Sequence, residues 1–408
     1  MRLGLRMGLN SRGAGGGGDI PSLDLQFATD KTLTARKGPT PTFTRASTAT
    51  FVGSNGLIQS AAINTARFDH DPITLACKGL LIEESRTNLF ARSAELGNAY
   101  WTNSNLSISS DDQTSPDGGL NAETITVSAG TPSIYRAVSC TASTAYTLSF
   151  YVKLGTLTAS DYKFAVRDDT NNVFIAENIV PNVTPVTTEW RRVTYTFTTP
   201  VGCVTVRPYL VRYGYISAGT FYLWGAQLEA GAFPTSYIPT TTASVVRSAD
   251  ICSISGASFT SFYNQSEGTY QGAYSFVSGY SNTGISMVLA QASNNTFNEL
   301  TRIGTATSGS FQRLDTIVGG SLTRITTTNA QSLTAQNKVS GAYKVGENAI
   351  SLNGSVVITG SPASITSSAN RLDIGSIQDG TSKINGHIAS LRYYKKRLAN
   401  AKLQALTT

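Results

Sequence analysis

The sequence predicts an all-β protein, an extended N-terminal arm followed by two successive β-sandwiches. Three observations carry this expectation. Short runs rich in Val, Ile, Thr, Phe and Tyr recur along the chain, separated by turn residues at spacings of about 8–20 residues. Charged residues make up only 14 % of the 408 residues, against about a quarter in an average globular domain. The balance is Ser, Thr, Gly and Asn, which serve turns rather than helices. Finally, Thr220-Phe-Tyr-Leu-Trp-Gly-Ala-Gln-Leu-Glu-Ala-Gly231 reads as a buried strand that closes a sandwich. Period two places Tyr222, Trp224, Ala226 and Leu228 on one face and Phe221, Leu223 and Gln227 on the other, with apolar side chains on both. Glu229-Ala-Gly231 ends it. Pro234 and Pro239 keep the following residues from donating a full ladder, so the tail leads out toward a second body.

A chain of this length holds two or three domains of roughly 100–200 residues each. No apolar run approaches the roughly 18 residues that cross a bilayer, and Met1-Arg-Leu-Gly-Leu-Arg6 lacks the apolar block of a secretory signal. The expectation is a chain made in the cytoplasm, without membrane insertion. Net charge is +7, but the bases are scattered, apart from Arg191-Arg192 and Lys395-Lys396-Arg397. That describes a mildly basic surface rather than a nucleic-acid site. Cys77, Cys140, Cys203 and Cys252 form no CxxC pair and are expected as reduced, partly buried residues. Two histidines, His70 and His387, leave little room for zinc chemistry.

In residues 1–18, Leu3, Leu5, Met7 and Leu9 alternate with Arg2, Gly4, Arg6 and Gly8, and a run of glycines follows from Gly15 to Gly18. A single short strand on a flexible tether cannot bury its own apolar face, so it is expected to dock by adding to a sheet of another protein. Residues 19–92 carry short apolar segments around turns and are expected to form a stem or collar. Within them lie Arg45-Ala-Ser-Thr-Ala-Thr50, Asn55-Gly-Leu-Ile58, Ala66-Arg-Phe-Asp69, Gly79-Leu-Leu-Ile-Glu-Glu84 and Arg86-Thr-Asn-Leu89. This series, in this order, resembles a family of tailed-bacteriophage and prophage virion proteins: head fibres, head spikes and tail fibres. The resemblance implies a virion-surface protein, attached to a capsid or tail protein through its N-terminal arm and assembled as a homotrimer. Glu83 and Glu84 are adjacent on a strand and point to opposite faces, so they cannot flank one glycosidic bond. An ion pair with Arg86 or Arg45 is the expected role.

Residues 93–240 contain the runs Ala122 to Val127, Ser133 to Val138, Tyr146 to Val152, Lys163 to Val166, Trp190 to Phe197, Val204 to Arg207 and the closing strand. Their order, with Trp190 and Trp224, is similar to the jelly rolls of carbohydrate-binding modules, which implies a fold with sugar-binding relatives. Trp101, Trp190 and Trp224 are expected in the core. The candidate glycan-binding residues are Arg207, Tyr209, Arg212, Tyr213 and Tyr215, because stacking rings and a few polar groups are what a sugar needs. Asp111-Asp112 and Asp168-Asp169 with Asn171-Asn172 carry oxygens of the kind that bind Ca2+, although Asx turns are their commoner use. No cofactor is required by the sequence.

Residues 241–408 again read as sheet on sheet, with a hairpin turn at Asn353-Gly354. The ending, Gly386-His-Ile-Ala389, Tyr393-Tyr394 and a capping helix through Leu398, Ala401, Lys402, Leu403 and Leu406, is similar to the close of laminin-G/concanavalin-like lectin domains. His387 is expected to be a packed structural residue. Neither a Ser/Cys–His–carboxylate set nor a phosphate-binding glycine loop is present in the pattern, so no catalytic residue is assigned. Three readings stand: a virion fibre or spike that binds host glycans, a virion-borne depolymerase, and a decoration protein without a ligand.

Overall fold

The apolar runs form antiparallel strands whose alternation sorts side chains between a dry interior and an outer face. The computed structural model describes residues 19–128, 130–158, 162–179, 188–212, 218–277, 288–305, 311–377, 379 and 382–408. The arm residues Leu3, Leu5, Met7 and Leu9, and the candidates Tyr213 and Tyr215, lie outside the described residues. The strands build two sandwiches, as the sequence predicts.

In the middle sandwich, a five-stranded sheet has the order Arg191–Thr198, Ala145–Leu154, Gly219–Ala230, Leu120–Val127 and Leu106–Thr114. It packs on a six-stranded sheet with the order Val173–Ile179, Phe164–Asp168, Thr205–Arg212, Ser133–Tyr135 and Thr102–Ser104; Val138–Ser139 also pairs with Thr205–Arg212. Phe150, Phe164, Val193, Leu210, Phe221 and Leu223 fill the space between them. Trp101 and Trp224 are buried, as expected; Trp190 is half-buried and packs against Trp224's cluster.

The closing strand corrects the predicted faces. Phe221 and Leu223 point into the core, but so do Ala226 and Leu228, whereas Trp224 packs on the other side with Ala122 and Tyr237. The break is at Gly225, φ +68°, where the register against Ala145–Leu154 slips by one residue. That extra residue is a bulge, and a bulge reverses the alternation. A Cβ at 225 would stand 3.1 Å from Tyr151 and 3.4 Å from Tyr237, in a backbone region that side chains avoid. Gly225→Val is therefore expected to destabilise the middle sandwich by about 1–3 kcal/mol, read as a lower urea midpoint. An unchanged midpoint would show that the bulge is not required.

The C-terminal sandwich has a seven-stranded sheet ordered Thr42–Thr44, Ile251–Ser255, Arg371–Ile374, Val288–Ser293, Leu300–Thr305, Phe311–Val318 and Ser321–Ala330. Facing it is an eight-stranded sheet that includes Asn337–Lys344, Glu267–Phe276, Gly386–Tyr394, Cys77–Ile82 and Phe68–His70. Much of residues 19–92, expected as a separate stem, is built into this body, while Leu89 and Phe90 pack into the middle sandwich and Ile58 against the Trp224 cluster. Leu23–Leu25 and Cys77–Ile82 both pair with Gly386–Tyr394, and Thr42–Thr44 pairs with Ile251–Ser255. The physical reason is burial: Leu23, Leu25, Phe27, Leu80 and Ile82 share one core with Ile254, Tyr270, Leu372 and Leu391. The segment's few large apolar side chains are spent on this shared core rather than on one of their own. The chain leaves this sandwich after Arg86–Asn88 and returns at Val245–Arg247, and those two strands pair with each other.

At this crossing sit Arg45, Arg67 and Glu83, together with Asp250. Asp250 accepts from Arg45 (3.2 Å) and Arg67 (2.5 Å), and Arg67 also pairs with Glu83 (2.8 Å). Glu83 takes two further bonds from Ser236, each 2.7 Å. Burial alone would drive the Glu83 carboxyl up, but Arg247, Arg67 and the Ser236 donors outweigh it and hold it well below the usual carboxylate range. Glu84 pairs with Arg86, as the sequence predicts, while Glu83 takes Arg67 rather than Arg45. Asn88 donates to Ala226 (3.1 Å) and Ile238 (3.0 Å), fastening the closing strand and its tail.

The Asn353-Gly354 turn is as expected, with φ of +48° and +74° and Ser355 N–H donating to Leu352 O at 2.9 Å. The capping helix is Asn400–Ala405; its Leu403 and the preceding Leu398 are buried against Ala342, Ala349 and Tyr394. His387 is buried and bonded through Nε2 to Asp69 at 2.8 Å, a packed position like the one expected. Among the described residues no helix is long and apolar enough to cross a membrane.

Candidate ligand-binding face of the middle sandwich

Three of the five candidate glycan-binding residues, Arg207, Tyr209 and Arg212, lie on Thr205–Arg212. This strand is interior to the six-stranded sheet, between Phe164–Asp168 and Ser133–Tyr135. Val206 and Leu210 point into the core, so alternation turns Arg207 and Tyr209 to the outer face. The neighbouring strands place more of the face beside them. Tyr135 and Ala165 are the cross-strand partners of Tyr209, and Arg167 is the partner of Arg207.

The rings gather into a platform. The Tyr135 and Tyr209 centroids are 4.8 Å apart, and Phe174 lies 6.2 Å from Tyr209. Guanidiniums lie over these rings: Arg207 over Tyr135 at 4.7 Å, and Arg212 over Phe174 at 4.9 Å and over Tyr209 at 5.3 Å. Such contacts hold long cationic side chains in place without hiding their donors. Tyr209 is only 4 % exposed, so it is the floor that fixes the other groups rather than a ring a ligand can touch. Tyr135 and Phe174 are half-buried and present accessible ring surface.

Two carboxylates complete the face. Asp169 accepts from Arg207 Nε (2.7 Å) and Nη2 (2.6 Å) and lies 3.4 Å from Arg167; Glu177 pairs with Arg212 at 3.4 Å. Burial tends to lower the Arg207 pKa, but its bonds to the Tyr209 hydroxyl and the Asp169 carboxylate raise it overall, so this guanidinium stays charged. Three guanidiniums against two carboxylates leave the face with one excess positive charge. Donors and acceptors thus ring an aromatic floor, groups able to contact a hydroxyl-bearing molecule with an apolar side.

Of the residues considered for Ca2+, Asp112, Asp168, Asp169 and Asn171 make hydrogen bonds or ion pairs within the chain. Asp168 accepts from the Asn171 backbone (3.0 Å) and side chain (2.8 Å), an Asx turn, and Asp112 accepts from Thr124. Among the described residues no cluster of three or more His, Cys, Asp or Glu side chains has a metal-binding arrangement.

Sequence reasoning missed Tyr135 and Phe174. Tyr135 is legible in retrospect, because Ile134 beside it is a core residue and the alternation sends Tyr135 outward. Phe174 sits on Val173–Ile179, which carries Glu177 and Asn178 and lacks a strong apolar pattern.

A scan of protein-family profiles and a search of curated proteins find no match to this sequence. Solved structures similar to it include the CBM40 of a Ruminococcus gnavus IT-sialidase, 17 % identical, covering 36 % of this chain and 84 % of that one, with a TM-score of 0.31. A tandem CBM22 pair from Paenibacillus barcinonensis Xyn10C is 13 % identical, covering 77 % and 99 %, with a TM-score of 0.29. Domains LG4-5 of the mouse laminin alpha1 chain are 11 % identical, covering 66 % and 89 %, with a TM-score of 0.26.

Proposed function

We propose that this chain is a fibre or spike protein on the virion of a tailed bacteriophage, and that it adsorbs to host glycans through the outer face of the six-stranded sheet. The observation that carries the binding reading is the platform: Tyr135 and Phe174 held by Tyr209, with Arg207, Arg212, Asp169 and Glu177 around them. Ring stacking against the C–H side of a sugar supplies contact area, and the charged groups fix its hydroxyls. The virion reading rests on the series from Arg45 to Leu89 in the sequence. Under it, Leu3, Leu5, Met7 and Leu9 add a strand to a capsid or tail protein, and the chain assembles as a homotrimer on the particle surface. Many copies per particle make weak individual sites sufficient.

The reading is of a binder rather than a depolymerase. Glu83 and Glu84 are consumed by Arg67, Ser236, Arg86 and Asn385, and the carboxylates of the platform are tied to arginines. A glycan array probed with the full chain tests the proposal. Binding is expected, with Tyr135→Ala and Phe174→Ala each weakening it by about tenfold. A blank array reduces the protein to a decoration subunit, and reducing sugar released from host capsule would make it a depolymerase instead.

A further inference from the structure

Cys140 and Cys203 are 63 residues apart in sequence, yet their Sγ atoms lie 3.5 Å from each other. The backbone keeps them there. Val138 pairs with Val206 and Ser139 with Thr205, and the ladder runs one residue further, because Cys140 N–H donates to Val204 O at 2.9 Å. On the other side, Cys203 N–H donates to Pro200 O at 3.2 Å, closing a turn that aims the thiol at Cys140. Cys203 is buried and Cys140 half-buried, so Cys140 is the less enclosed residue of the two. A disulfide needs the sulfurs at about 2.05 Å, and side-chain rotation at two thiols already in contact supplies most of the approach.

We propose that Cys140 and Cys203 form a disulfide in the folded chain when it meets a small-molecule disulfide such as oxidised glutathione, and that this bond pins the start of Thr205–Arg212, the strand that carries the platform. The exchange has two steps. Cys140 loses its proton, its thiolate attacks one sulfur of oxidised glutathione, and one glutathione thiolate leaves with the electron pair of the broken S–S bond. Cys203 then loses its proton and attacks the Cys140 sulfur of the mixed disulfide, expelling the second glutathione thiolate. The protein gives up two electrons and two protons, and one oxidant molecule becomes two thiols.

Order and rate follow from the surroundings. Burial raises both thiols, and Cys203, with the Cys140 thiol and Asp168 adding to burial, is pushed up to about 12. The half-buried Cys140 is therefore the first nucleophile, and the reaction quickens as pH rises. In a reducing cytoplasm the pair stays open; in an oxidising medium it closes.

The test uses the full wild-type chain, folded, incubated with oxidised glutathione at pH 8 and digested without reductant. A single linked peptide joining Cys140 to Cys203 is expected, with the intact mass lower by about 2 Da and the other two thiols still titratable. The melting temperature of the middle sandwich should rise by several degrees, on the order of 5 °C, and fall back with reductant. Cys140→Ser should show neither change. Folded wild-type protein that yields no such peptide, or that stops as a stable glutathione adduct, overturns the proposal. Neither result bears on glycan binding.

Discussion

Replacing Asp250 with Ala is expected to lower the unfolding free energy of the C-terminal sandwich by about 3–5 kcal/mol. Asp250 is fully buried, with Arg45 on one oxygen and Arg67 on the other, and the Glu83 backbone N–H adds a third bond at 2.9 Å. Two opposing effects meet here. Burial pulls the Arg45 pKa down, and the Asp250 charge pushes back without fully restoring it. Removing the carboxylate leaves Arg45 with only neutral acceptors, the carbonyls of Ser47, Thr65 and Ala62 among them. A buried guanidinium without a counter-ion is much costlier than a lost neutral hydrogen bond. Asp250→Asn keeps the shape but not the charge and should fall between Ala and wild type. Hydrogen exchange of Gly386–Tyr394 amides in urea reads the C-terminal transition directly, and a loss below about 1 kcal/mol would refute the account.

The second large effect is a dependence on pH. Glu123 is 1 % exposed, on a strand of the five-stranded sheet, and its Oε2 has no hydrogen-bond partner among the described residues. Burial first, then the nearby Asp111 charge, raise its pKa from 4.5 to about 7. The sign follows directly. Below pH 4.5 the carboxyl is protonated in both states and contributes no difference. Between 4.5 and 7 the unfolded chain ionises first, so stability falls as pH rises; above 7 the full penalty, roughly 3 kcal/mol, is in place. Glu123→Gln removes it. Urea melts at pH 4 and pH 8.5 should show the variant gaining about that much on wild type at the higher pH only. A gap that is the same at both pH values would refute the assignment.

Fold class was readable because period-two runs and turn residues are local signals. The Asn353-Gly354 hairpin and the helix that carries Leu403 were readable for the same reason. What stayed hidden was long-range or weakly apolar. Leu106–Thr114, with Ser109, Ser110, Asp111 and Asp112, is a strand held by its neighbour rather than by its own composition. Glu83 meets Ser236 across 153 residues and Arg45 meets Asp250 across 205, separations that no spacing rule reaches. The same limit made residues 19–92 look like an independent stem. In the candidate site, Arg207 and Arg212 were legible as polar residues on a strand flank. Tyr135 could have been found from its alternation with the core residue Ile134, but Phe174 could not, because its strand Val173–Ile179 lacks a strong apolar pattern.

The pairing of Leu23–Leu25 with Gly386–Tyr394 has a consequence for synthesis. Ser22 bonds to Tyr393, 371 residues further along, and at about 5–20 residues per second the ribosome needs roughly 20–75 s to make that partner. The middle sandwich has all its strands between Thr102 and Ala230, so it can assemble on the nascent chain while the first apolar strands wait unpaired. Those early strands are then without their sheet neighbour until Gly386–Tyr394 has been made.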